Sequence, residues 1–374
     1  MNNRQRLRAV LHYENYDRLP VVHFGYWGEL LKKWVFEGHI TEDELINFSD
    51  GSPNEYKVSD KLGFDFNYFT TYQDLSGFTS LFPAFAPERV RENPDGSCEY
   101  LNADGMIVLQ KEGAGSIPCE TGHLLTDRAA WEKHYLPRLQ YGEDRFDDAV
   151  LTKLAAESES RAEPLGLYCK SLFGQIRNWL GVAGVSYLYA DDEDLYDEII
   201  NTVGGLAYRV TERALKSDVR FDFAHFWEDI CFKNGPLVTP AVFEEKVGPH
   251  YRKIAELARG NGIDIVSLDC DGMIDSLIPA WFNNGVNTMF PIEVGTWDAS
   301  IAPWRARYGR GLRGVGGVNK HVFSYDKSAV DAEIERLKPL VALGGFIPCP
   351  DHRLPPDTEW ELLQYYCERM RQTF

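Results

Sequence analysis

From about residue 160 onward, short apolar runs alternate with longer stretches of helical spacing. Leu165 to Cys169 reads as a strand and Asp194 to Leu215 as a helix, followed by a strand at Phe221 to Phe226 and a helix at Pro240 to Arg259. Ile263 to Leu268, Val286 to Pro291 and Leu312 to Val318 continue as strands, separated by helical spacing over Asp275 to Asn283 and Ser300 to Tyr308. Lys327 to Leu343 is helical, and Phe346 to Ile347 anchors a last strand. A final helix runs over Trp360 to Arg371, with Pro355, Pro356 and Asp357 as its start signal. Runs that are apolar without alternation are strands covered on both faces. Strict strand–helix alternation of this kind predicts parallel pairing.

The first 160 residues are less regular. Leu19 to Phe24 and Phe64 to Phe69 are the clearest strands, and the stretch from Pro94 to Leu109 reads as short strands joined by Asp-Gly turns. Six units in the second half and two strands before residue 70 make about eight, the number in a (β/α)8 barrel. The expectation is an α/β fold: a distorted (β/α)8 TIM-type barrel with an inserted β-hairpin region in its first half. It forms a single domain over residues 1–374, with about 70–160 an irregular insertion. An open doubly wound sheet is the alternative.

Composition narrows the partners. The chain is 44% hydrophobic and 26% charged, as soluble globular proteins are, and its net charge of −18 argues against nucleic acid or an anionic membrane surface. It contains no apolar run of the roughly 18 residues a membrane span needs, and no apolar segment follows the arginines of the first ten residues, so no secretory signal is expected. The seven cysteines are scattered without a Cys-x-x-Cys pair, which fits a reducing cytoplasm. The sequence leaves the oligomeric state open.

The candidate chemistry sits where strands stop, because parallel α/β folds place their sites at the carboxyl ends of strands. Ile263 to Leu268 ends in Asp269-Cys270-Asp271-Gly272, and period-2 alternation puts Asp269 and Asp271 on one face. Two such carboxylates suit metal binding or acid–base work, although Asp-Gly also serves as a plain turn. The last strand ends in Cys349-Pro350-Asp351-His352, where His352 can bind a metal or move a proton near neutrality. Glu293 follows another strand, with a structural ion pair as its plainer reading. Trp227 and Glu228 end a third strand as an aromatic wall beside an acid, Trp227 being equally at home in a core. Lys320 follows a glycine-rich strand and can neutralise an anion, and His23 and Trp27 near the first strand end are weaker pocket candidates. Gly309 to Gly314 spells a Gly-x-Gly-x-x-Gly, but the strand follows it rather than preceding it, which excludes a dinucleotide fingerprint. No Gly-x-Ser-x-Gly, Walker loop or His-Glu-x-x-His occurs.

A longer set of motifs resembles the uroporphyrinogen decarboxylase superfamily. It comprises Trp227-Glu228-Asp229 with Lys233-Asn234-Gly235-Pro236, Asp271-Gly272 with Leu277-Ile278-Pro279-Ala280-Trp281, and Pro291-Ile292-Glu293. Gly316-Gly317-Val318-Asn319-Lys320, Gly344-Gly345-Phe346-Ile347-Pro348 with Pro350-Asp351-His352, and the early Asp17-Arg18-Leu19-Pro20 with Trp27 complete it. The resemblance implies a distorted (β/α)8 barrel and one of two chemistries, porphyrinogen decarboxylation or methyl transfer involving a corrinoid on a separate protein. The decarboxylases' early Arg-x-Ala-Gly-Arg is replaced here by Gly28-Glu29-Leu30-Leu31-Lys32. Zinc-dependent methyltransferases of the superfamily carry His-x-Cys where this chain has Asp269-x-Asp271, and a further Cys at His352. Two oxygens and a nitrogen make a harder donor set, suited to an oxygen-bearing substrate.

The resemblance therefore implies a cytoplasmic methyltransferase of one-carbon metabolism. Asp271, His352 and Glu293 are its expected catalytic residues, and Asp269, Asp271 and His352 its zinc ligands. Trp227, Glu228, His23, Trp27 and Lys320 are expected to bind a small methyl donor or acceptor. No Asp-x-His-x-x-Gly corrinoid motif occurs, so cobalamin is expected to arrive on a partner corrinoid protein. A decarboxylase-like lyase and a non-catalytic ligand-binding barrel are the alternatives.

Overall fold

In the computed structural model, which describes residues 1–77, 80–110 and 119–374, the apolar runs become strands because both of their faces are covered. In chain order the early strands are β1 (Val22–His23), β2 (Phe66–Asn67), β3 (Tyr72–Gln73), β4 (Glu88–Glu92), β5 (Cys98–Leu101), β6 (Met106–Gln110) and β7 (Cys119–His123). Those of the second half are β8 (Gly166–Tyr168), β9 (Phe223–Trp227), β10 (Cys231–Phe232), β11 (Gly235–Pro236), β12 (Val266–Asp269), β13 (Thr288–Ile292), β14 (Arg313–Val318) and β15 (Phe346–Pro350).

Seven of them form one sheet in the order β15-β14-β13-β12-β9-β8-β3, every pair parallel. Strands β1 and β2 make a separate parallel pair, and a lone parallel bridge, Tyr26 to Leu354, links the chain after β1 to the chain after β15. Neighbours follow chain order, with helices such as Glu193–Leu215, Lys327–Val341 and Trp360–Thr373 between or after them. This mixed α/β architecture with a central parallel sheet has the strand order of a TIM-like fold. A four-stranded antiparallel sheet, β4-β5-β6-β7, stands apart from it.

Two apolar clusters divide the interior. One face of the parallel strands packs on the surrounding helices. The other gathers Phe24, Tyr68, Phe223, Phe290, Val315 and Ile347 with Leu7, Val10 and Leu11 of the helix Asn3–Leu11. Fully burying a residue of this kind contributes about 1.5–3 kcal/mol, so the three residues of that first helix are a substantial part of what holds it against the sheet. Its start is fixed by a reciprocal cap between Asn2 and Gln5.

Local chemistry explains where elements depart from the sequence pattern. The run Phe64 to Phe69 yields only a two-residue strand. Asn67 Oδ1 accepts the Phe69 N–H at 3.0 Å and turns the backbone into a 3-10 turn, Tyr68–Thr70, before β3. The expected helix from Pro240 to Arg259 is two, Pro240–Lys246 and Gly248–Gly260. Pro249 lacks an N–H and clashes with the preceding turn, so it starts a helix rather than continuing one. The helix Gly174–Asp191, bent at Gly181, was not signalled by an apolar stripe. No helix among the described residues is long and apolar enough to cross a membrane.

Candidate functional site

The carboxyl ends of β9, β12 and β15 converge on a cavity of about 320 Å³. Phe24, Trp27, Phe69 and Trp227 supply its aromatic walls, and Asp229, Asp269, Asp271, His352 and Arg353 its charged groups. Register places these groups: Asp269 pairs with Trp227 across the β12–β9 ladder, so both project from the same face at the same height. Asp229 lies two residues beyond Trp227 and returns to that face, with a left-handed backbone at φ 48°.

One carboxylate oxygen from each of Asp229, Asp269 and Asp271 lies within 4.8 Å of the others. The Asp271 N–H donates to Asp229 Oδ1 at 3.1 Å, which holds the two loops together. Asp271 Oδ2 lies 3.3 Å from His352 Nε2, while its Oδ1 is buried without a hydrogen-bond partner among the described residues. The His352 ring is held in place by Trp27, stacked at 5.7 Å, and by the edge of Phe24 at 5.4 Å. Glu293 accepts from the Gly272 N–H at 2.5 Å and the Thr296 hydroxyl at 3.0 Å, just behind the cluster. Arg353 lies over the Phe69 ring at 5.2 Å and forks onto Asp50 at 2.5 and 3.2 Å.

Burial and mutual repulsion set the electrostatics. Burial first, and then the Asp271 charge, push Asp229 up to about 7. Asp269 is driven far above the usual carboxylate range by burial and by Asp229 and Asp271, and Glu293 is raised by burial and by Asp271. Burial works against the charged form of His352, but the hydrogen bond and charge of Asp271 outweigh it and raise the imidazole. Three carboxylates at this separation cannot all ionise cheaply, so the site is built to receive positive charge or hold a proton.

The expected site residues divide into two groups. Asp269, Asp271, His352, Trp227 and Trp27 line the cavity, and Glu293 lies behind it, accepting the Gly272 N–H next to Asp271. Glu228 is fully buried and faces the other way. It accepts from the backbone N–H groups of Leu172, Phe173 and Gly174 and from the hydroxyls of Ser171 and Tyr251, fastening the start of the helix Gly174–Asp191. His23 is also fully buried, between the Ser59 hydroxyl at 2.9 Å and Glu55 at 3.2 Å, and it accepts the Gly25 N–H at 3.0 Å. Lys320 lies 3.3 Å from Asp351, which also accepts the Gly295 and Lys320 N–H groups. Asp351 is therefore tied to Lys320.

Asp229 and Arg353 are the charged cavity residues that sequence reasoning passed over, as Phe24 and Phe69 are the aromatic ones. Alternation carried one step past Trp227 points to Asp229 rather than Glu228, so the signal for the acid was present. Nothing in the sequence signals that Arg353 pairs with Asp50, some three hundred residues away.

A larger cavity, of about 990 Å³, opens at the amino ends of the strands around Arg4, Arg8, Arg161 and Asp222. Its charged groups are already matched: Arg4 lies 2.8 Å and Arg161 3.3 Å from the buried Asp222, and His12 lies 2.8 Å from the more exposed Asp264. The three clustered carboxylates lie at the smaller cavity.

No protein-family model and no curated protein sequence matches the chain. Among solved structures, a methyltransferase from Methanosarcina mazei superposes with a TM-score of 0.60 at 14% identity, over 100% of this chain and 98% of that one. A B12-independent methionine synthase from Shewanella sp. W3-18-1 reaches 0.48 at 10% identity, over 95% and 98% of the two chains. A putative vitamin-B12 independent methionine synthase from Listeria monocytogenes reaches 0.35 at 15%, over 60% and 68%. The last two scores are too low to bear weight. The first, at full coverage and low identity, shows that this chain shares its fold with a methyltransferase.

Proposed function

We propose that the protein is a methyltransferase, moving a methyl group between a small methylated compound and a corrinoid carried on a separate protein. We take the parallel sheet to be a distorted (β/α)8 barrel of one domain, with residues of about 70–160 inserted in it and the active site at its mouth. The observation that carries the reading is the convergence of Asp229, Asp269, Asp271 and His352 in one aromatic-walled cavity at the carboxyl ends of three strands. The sequence resemblance to corrinoid-dependent methyltransferases supports it.

In this reading the chain's own groups prepare the heteroatom that carries the methyl. Trp27, Trp227 and Phe69 exclude water and fix the substrate's apolar part. His352, kept protonated toward neutrality by Asp271, places an N–H at the cavity and gives its proton to the heteroatom as the methyl leaves. Asp269 and Asp229 stabilise positive charge beside it. A reduced corrinoid, when bound at the mouth, supplies the nucleophile for the methyl group.

The residues also fit a divalent cation. Asp229, Asp269 and Asp271 cluster as hard donors, and Asp271 Oδ1 has no partner among the described residues; with zinc bound, Asp269, Asp271 and a neutral His352 would hold it, the metal then standing in for the His352 proton. When bound, zinc would supply Lewis acidity towards an ether or phenolate oxygen. Decarboxylation of a polycarboxylate is disfavoured, because the cavity's guanidinium is already matched by Asp50 and its other charges are mostly acids.

The test is to mix the purified protein with cob(I)alamin and a panel of methylated ethers and amines, following the corrinoid spectrum. Conversion to methylcobalamin that needs both protein and one methyl compound is the expected result. No conversion across a broad panel, in either direction, would overturn the reading.

A further inference from the structure

The charge balance of this cavity points to a substrate class. His352 faces Asp271 at 3.3 Å, and Arg353 is forked onto Asp50. That leaves Asp229 and Asp269 without an ion pair among the described residues, Arg177 and His352 acting on Asp229 only from further off. Asp269 is only 2% exposed and lines the cavity, yet among the described residues no side chain or backbone group donates a hydrogen bond to its carboxylate. A buried, unmatched carboxylate is costly unless it holds a proton or a cation takes the proton's place. The space is too large for a bare ion. About 320 Å³ falls at the lower end of the range for small organic ligands, roughly 300–1,000 Å³.

Phe24, Trp27, Phe69 and Trp227 line the same space. Aromatic faces are electronegative and attract organic cations, above all methylated ammonium groups, whose charge is spread over apolar methyls that shed water readily. A neutral methyl ether would gain the aromatic contacts but leave both carboxylates unmatched. An anion would meet repulsion.

We infer that the cavity bound by Trp27, Phe69, Trp227, Asp229 and Asp269 takes a methylated ammonium compound, so that the positive centre the acids await is the substrate's own. The inference rests on the reading of this cavity as the methyl-transfer site. It adds what the fold and the resemblance leave open, the chemical class of the methyl compound. An ammonium and a divalent metal compete for the same oxygens, so zinc antagonises the ligand.

The experiment is calorimetric binding of choline to the full-length protein, against dimethylbutanol, the isostere with carbon in place of the cationic nitrogen. Quenching of Trp27 and Trp227 fluorescence gives a second readout. Choline is expected to bind at least tenfold more tightly than its isostere. Asp269→Asn, which keeps shape and removes charge, is expected to erase that preference, and added zinc to weaken choline binding. Equal or weaker binding of choline in the wild-type protein overturns the inference without any variant having to fold. An Asp269→Asn variant that retains the preference overturns it too. Failure to bind choline, with methyl transfer from an ether intact, removes this inference and leaves the proposed function standing. Selective choline binding with no methyl transfer from any compound does the reverse.

Discussion

Glu228 gives the sharpest separation between structure and catalysis at this site. It lies beside Trp227 in sequence and is an obvious candidate to touch substrate, but its carboxylate is wholly buried. It accepts from the N–H groups of Leu172 and Phe173, each at 2.9 Å, from that of Gly174, and from the hydroxyls of Ser171 and Tyr251. The two backbones are close as well: a methyl on Gly174 would overlap the backbone oxygen of Glu228. Each hydrogen bond to a charged acceptor is worth about 1.5–3 kcal/mol, but the desolvation of the carboxylate offsets much of that sum. Removing one side of such a buried network typically costs ~3–5 kcal/mol, and Glu228→Ala is expected to cost about 4 kcal/mol. At roughly 2 °C per kcal/mol for a larger domain, its melting temperature should fall by about 8 °C. Glu228→Gln keeps one acceptor oxygen but turns an NH₂ towards donors, and should cost about 2 kcal/mol. Differential scanning calorimetry with a choline titration on the folded fraction reads both effects. If Glu228→Ala melts with the wild type yet loses ligand binding, Glu228 belongs to the substrate site and the reasoning here fails.

Asp271→Asn keeps shape but removes the charge facing His352; it is expected to lower methyl transfer at least 100-fold while changing stability by less than about 1 kcal/mol, since the lost pair is partly offset by relief of repulsion on Asp229 and Asp269. A comparable loss of several kcal/mol in a denaturant titration would reassign Asp271 as structural. The raised pKa of Asp229 has a definite sign: the folded state holds its proton longer than the unfolded chain, so the stability this acid lends is complete below the usual carboxylate value and is lost as pH climbs through about 7. Asp229→Asn should therefore stabilise the protein more at pH 8 than at pH 5 by about 1 kcal/mol or more, and equal melting shifts at both would contradict that. Gly25 has φ +90°, and a Cβ there would meet Arg353 Nη1 at 2.7 Å and Asp50 Oδ1 at 2.9 Å. Gly25→Ala is thus expected to cost about 2 kcal/mol and to loosen Arg353 from the cavity wall, read as a lower melting temperature; an unchanged one would mean the loop relaxes freely. If a metal sits on the acids, elemental analysis should find it at one equivalent in the wild type and at least tenfold less in the Asp271→Ala, His352→Ala double variant; unchanged content would place it elsewhere.

The sequence by itself determined the repeating element order, the parallel pairing that follows from it, and which strands end in reactive groups. Those follow from local rules: runs covered on both faces become parallel strands, and helices fill the spacing between them. The two-residue period also put Asp269 and Asp271 on one face. Tertiary structure alone decided which of the strand-end groups meet. Glu228 and Asp229 are adjacent in sequence, yet one caps a helix and the other enters the cavity, because a left-handed residue after the strand fixes where each points. His352 reaches Asp271 and Arg353 reaches Asp50 only because the sheet brings segments far apart in the chain to one end. Local propensity acts over a few residues, whereas the field and contacts that tune a carboxylate come from every element packed around it.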